Sequence, residues 1–208
     1  RGRDHMVNTP PQIMIYEALG AKPPTFAHLP MMLSMSGEKL SKRHGAVSVT
    51  QYRDEGYAPN AVLNYLVRFG WSHGDQEVFS KEQLIEAFNW EACGKGDGKF
   101  DTKKFLAIQH EHMKSQALMS DDEYADRVMP FLAARGLANV SRDEVKRAVY
   151  TVRERSRTFV EAADGLDFFF RDPFVMDEKA SEKFLVAANA ENLNAFRAAL
   201  SEVTEWTE

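Results

Sequence analysis

The sequence predicts a mainly α fold with a short mixed segment near its start. Three observations carry this reading. Apolar residues recur at helical spacing between start and stop signals along most of the chain, S-x-x-E boxes open two stretches after residue 119, and extended apolar patterning is confined to residues 26–33. At 208 residues, 44% hydrophobic and 27% charged, the chain can bury a core as one ordinary domain or two small ones. It lies well outside the compositional range of disordered segments.

The first predicted helix covers residues 9–19, with Ile13, Ile15, Tyr16 and Leu19 apolar, Pro10 and Pro11 at its entrance and Gly20 at its exit. Pro23 and Pro24 break the chain, and residues 26–33 read as a buried strand feeding a polar loop at Ser34 to Gly37. Pro59 opens a helix whose broad apolar face, including Val62, Leu63, Leu66 and Val67, should be buried, with Gly70 as its stop. Ser80 with Gln83 fits a capping box, and Asp101 caps the next helix. Between them the glycine-rich run 94–98 reads as a flexible turn. After residue 119 the prediction is helical throughout. Ser120 with Glu123 and Ser141 with Glu144 form S-x-x-E boxes, and Gly136 closes the first helix. Residues 167–176, with Phe168, Phe169, Phe170 and Pro173, read as an irregular aromatic connector before helices at 183–190 and 193–206.

Composition excludes several classes. The longest apolar run, Phe184 to Ala188, is far short of the about 18 residues a membrane-spanning helix needs. A single cysteine, Cys93, allows neither an internal disulfide nor a cysteine metal cage, so a reducing, cytoplasmic setting is expected. Lys plus Arg number 14 and Asp plus Glu 13 up to Leu118, against 12 and 18 beyond it. Neither half is a basic glove, so RNA would have to be held through local clusters. The shift near Leu118 marks the predicted domain boundary. The chain starts on Arg1 and reads as an excised piece of a longer protein.

The densest chemical signal is Gly37-Glu38-Lys39-Leu40-Ser41-Lys42-Arg43-His44-Gly45. Two glycines let the backbone approach a ligand, Lys39 and Lys42 supply point charges, Arg43 a planar fork and Ser41 a small donor. Such a loop could stabilise charge developing on a departing pyrophosphate. Charge alone favours a solvated basic surface loop, because short basic runs are common.

Context alters that balance. Arg1-Gly2-Arg3-Asp4-His5, the basic loop, Tyr52-Arg53-Asp54-Glu55-Gly56-Tyr57 and Asn64-Tyr65-Leu66-Val67-Arg68-Phe69-Gly70-Trp71-Ser72-His73-Gly74-Asp75 together resemble the bacterial glutamyl-tRNA synthetases. Lys39-Leu40-Ser41-Lys42-Arg43 looks like their version of the KMSKS loop. The match is nearly continuous to about Ser80; farther on, Ala107-Ile108-Gln109 stands where the family usually reads Trp-Leu-Asn.

The resemblance implies a division into three parts. Residues 1–38 would end a Rossmann-type catalytic domain, 39–118 would carry the KMSKS-type loop and a mixed stem-contact segment, and 119–208 would begin an all-helical anticodon-binding bundle. It implies that Lys42 sits on the ATP phosphates with Lys39, Ser41 and Arg43 in support. Arg1 would hold the glutamate substrate, Asp4 and His5 would stand beside ATP, and Met31 and Met32 would line its adenine side. ATP with accompanying Mg2+, L-glutamate and tRNA(Glu) are the implied substrates, acting on a monomer without membrane attachment. No His-x-Gly-His string occurs, so the chain alone is expected not to aminoacylate. The competing reading is a non-enzymatic helical RNA-binding or interaction module.

Smaller signals favour structural roles. None of the six histidines has the i, i+4 placement of a helical zinc pair, so no metal site is predicted. Phe168 to Phe170 suit packing between helices better than base stacking. Arg153, Arg155 and Arg157 cannot share one helical face.

Overall fold

The computed structural model describes residues 1–40, 48–171 and 176–204. They group into two units, Arg1–Phe170 and Arg171–Glu208. In the first, a 3-10 turn, Arg3–Asn8, runs directly into α1, Thr9–Ala18. Pro10 and Pro11 stand where helix amides lack partners in any case, and Gly20, at φ +66°, ends the run.

The expected strand at 26–33 shrinks to β1, Met32–Leu33. Pro30 has no N–H to give a ladder, which limits the pairing. Upstream of it, Leu29 makes a parallel bridge with Gly2, donating to the Arg1 carbonyl and accepting from Arg3, each at 2.8 Å. Downstream, β1 pairs in parallel with β2, Gly98–Lys99. The glycine-rich run is therefore seated rather than free, and the Gly94 amide also donates to the Gly70 carbonyl at 2.6 Å.

Three helices frame these strands: α2, Val49–Asp54; α3, Pro59–Val67; and α5, Thr102–Lys114, with α4, Lys81–Ala87, lying before β2 in sequence. The buried face of α3 is Ala61, Val62, Asn64 and Tyr65, while Leu63 is exposed, contrary to the broad apolar face expected. Tyr65 and Phe105 stack with centroids 4.5 Å apart in a cluster that includes Tyr52 and Phe100. The Tyr65 hydroxyl donates to the Asp101 carbonyl and accepts from the Asp101 amide, both at 2.8 Å. Burial pushes its pKa up to about 12.

A helical array follows: α6, Asp121–Ala134; α7, Arg142–Ala148; α8, Tyr150–Arg153; and α9, Phe159–Phe170. Its interior of Tyr124, Val128, Leu132, Val145, Val152 and Leu166 is continuous with Ala58, Ala61 and Met113. One buried cluster thus runs across Leu118. Phe168 to Phe170 form the last turn of α9 instead of an irregular connector, because nothing before Pro173 interrupts the helical pattern. Phe170 packs against the interior, whereas Phe168 and Phe169 are exposed.

The second unit holds α10, Glu178–Phe184, a 3-10 turn, Ala187–Asn189, and α11, Ala190–Glu202. Asp177 accepts from the Ala180 amide at 2.6 Å and so starts α10 well before the predicted residue 183. No helix among the described residues is long and apolar enough to cross a membrane.

Candidate functional site

The mixed segment builds a pocket of about 440 Å³, within the range usual for small-molecule sites. Gly2, Met31, Met32 and Lys39 line it with Tyr52 and Phe100 from the aromatic cluster. Most of its lining is apolar, and a cation stands at its edge.

Lys39 reaches this position on a tight reversal. Ser34 donates to the Glu38 carbonyl at 2.7 Å, Leu40 donates to the Met32 carbonyl at 3.0 Å, and Gly37 supplies φ +87° at the turn. The Lys39 ammonium then donates to Asp4 Oδ2 at 2.7 Å. That hydrogen bond holds the Asp4 carboxyl below its ordinary pKa. Both partners are partly solvated, so the pair orients Lys39 more than it stabilises the fold.

Four expected site residues, Asp4, Met31, Met32 and Lys39, are thus brought together. Arg1 and His5 are not among the pocket's lining residues. The Arg1 guanidinium donates to Gln12 Oε1 at 2.8 Å, and His5 Nδ1 faces the Asn8 amide at 3.3 Å. Ser41, Lys42 and Arg43 lie outside the described residues.

Sequence reasoning missed Asp97. Its Oδ1 accepts from the Met31 amide and its Oδ2 from Arg3 Nη2, each at 2.8 Å. The only cue was an acidic residue inside a glycine-rich run. The three late arginines have internal partners. Arg153 donates to the Met113 and Met119 carbonyls and to Asp121, Arg155 to the Thr151 carbonyl, and Arg157 to Glu161. Among the described residues no group of three His, Cys, Asp or Glu side chains could hold a metal ion.

A family model described as tRNA synthetases class I (E and Q), catalytic domain, matches residues 1–107. The chain belongs to this synthetase family. An anticodon-binding-domain model matches residues 123–208. A glutamate–tRNA ligase from Geobacter sulfurreducens is 47% identical over 202 residues, which cover 94% of this chain and 43% of that protein. One from Desulfosudis oleivorans is 44% identical and covers 100% of this chain and 44% of its own length. The chain therefore spans less than half the length of these relatives. Among solved structures, a glutamate tRNA ligase from Elizabethkingia meningosepticum, in complex with its amino acid, superimposes with a TM-score of 0.73 at 27% identity. That match covers 98% of this synthetase chain and 44% of the other.

Proposed function

We propose that this chain supplies the ATP-loop and tRNA-facing parts of a glutamate–tRNA ligase, which forms glutamyl-AMP from L-glutamate and ATP and transfers glutamate to tRNA(Glu). Support comes from the convergence of Met31, Met32 and Lys39 on one pocket of nucleotide-compatible volume, with Lys39 held there by Asp4, 35 residues away in sequence.

Lys42 acts on the ATP phosphates, with Lys39, Ser41 and Arg43 in support, so that charge on the leaving pyrophosphate is met by fixed cations. No general base is needed for this step. Met31 and Met32 give the adenine an apolar, polarisable wall. Asp4 and His5 stand beside ATP, and Arg1 offers a fork suited to the glutamate carboxylate. Mg2+ arrives with the ATP phosphates. Residues 1–38 close the catalytic domain, 39–118 carry the loop and contact the tRNA stem, and 119–208 face the anticodon arm. The working enzyme is a cytoplasmic monomer.

Changing Lys42 to Ala in the complete ligase should slow glutamate-dependent pyrophosphate exchange far more than it weakens glutamate binding. An unchanged exchange rate removes Lys42 from the mechanism. If the complete protein has no such exchange but binds RNA indiscriminately with a steep salt slope, the non-enzymatic RNA-binding reading replaces this one.

A further inference from the structure

Asp97 ties one wall of the pocket, Met31, to the opening segment that carries the lining residue Gly2. One carboxylate oxygen takes the Met31 amide, 66 residues away, and the other takes Arg3, 94 residues away. Met31 follows Pro30, which cannot donate, and leads into β1. Arg3 lies between Gly2, which lines the pocket, and Asp4, the partner of Lys39. An ionised carboxylate can accept both hydrogen bonds, and the guanidinium contact adds charge to the link.

The loop carrying Asp97 fits its neighbours closely. A Cβ on Gly98 would lie 2.7 Å from the Phe69 ring. The Gly98 amide donates to the Met31 carbonyl at 3.1 Å, so the backbone is anchored immediately beside the carboxylate. The Asp97 side chain is 23% exposed, against 48% for Arg3.

Resting on the ligase reading above, we propose that Asp97 is a positioning residue for ATP: it fixes the spacing between the Arg1-to-Asp4 segment and Met31, and so the width of the adenine side. Small displacements of a binding wall are enough to cost affinity. The Met31 hydrogen bond does most of this positioning, and the Arg3 contact aims the carboxylate.

The test is steady-state pyrophosphate exchange in the complete ligase carrying these residues. Asp97→Ala should raise the KM for ATP about tenfold or more, as expected for a lost hydrogen bond to a charged group, with the glutamate KM near wild type. Asp97→Asn, which keeps an acceptor for Met31, should restore most of the ATP KM. The reversal R3D with D97R keeps an ion pair but removes the Met31 acceptor, so its ATP KM should stay raised. An unchanged ATP KM in Asp97→Ala, a normal one in the reversal, or equal rises for ATP and glutamate overturns the proposal. Should Asp97→Ala lose cooperative unfolding, the reversal and Asp97→Asn carry the test. Absence of exchange in the wild-type ligase would instead sink the ligase reading itself.

Discussion

At the scale of single residues, fully buried Asn64 organises the inner side of α3. Its amide nitrogen donates to the Glu77 carbonyl at 2.9 Å, and its oxygen accepts from the Phe79 amide at 2.8 Å and from His112 Nε2 at 3.0 Å. Because Asn64 Oδ1 can only accept, His112 carries its proton on Nε2, leaving Nδ1 buried without a partner. Burial lowers the His112 pKa from 6.5 to about 4. The unfolded chain therefore binds the extra proton first as pH falls. Stability from this residue is complete above about 6.5, is lost progressively toward pH 4, and amounts to about 3 kcal/mol at most. Replacing His112 with Gln, which can still donate to Asn64, should flatten the fall in urea midpoint between pH 7 and 4.5. An equally steep fall in the variant would assign the acid sensitivity to the carboxylates instead. Arg153 presents the opposite case, a buried charge with partners: Arg153→Ala should cost about 3 kcal/mol or more in denaturant unfolding, since it strands Asp121 and two carbonyls.

At the scale of elements, helix starts are set locally and strand pairing is not. Asp101 Oδ1 accepts from Lys103 and Lys104 at 2.8 and 3.1 Å, so Asp101→Ala should lower unfolding free energy by about 1 kcal/mol while leaving the Tyr65 backbone contacts intact. Ser80 with Gln83 and Ser141 with Glu144 form complete capping boxes, as their spacing predicts. Ser120 makes only half of one: its oxygen accepts from the Glu123 amide, while the Glu123 carboxylate pairs with Arg127. All of these were legible because each depends on residues two or three apart. The pairing of β1 with β2 was hidden, since two-residue strands display no alternation and their partners lie far apart in sequence. For the same reason the family pattern pointed to Met31, Met32 and Lys39, yet nothing in the residues around Asp97 marked its two distant partners.

At the scale of the first unit, Gly56 joins the pocket-bearing segment to the helical array. It has φ +81°, and its carbonyl accepts from the Phe159 amide at 2.9 Å. A Cβ there would lie 2.8 Å from the Val160 nitrogen. Gly56→Ala should therefore cost about 2 kcal/mol or more and appear as a fall in Tm. A Tm within one degree of wild type would mean that the junction yields easily. The composition shift near Leu118 marks a change in charge, whereas burial depends on residues from both sides of it. Ala58, Ala61 and Met113 share their interior with Tyr124, Val128 and Leu166, although the two family matches end at residue 107 and resume at 123. Evolutionary modules and cooperative units do not coincide here. A chimera crossed over between those matches would bring together interiors shaped for different neighbours, whereas one joined before Ala58 would inherit the whole apolar interface from a single parent.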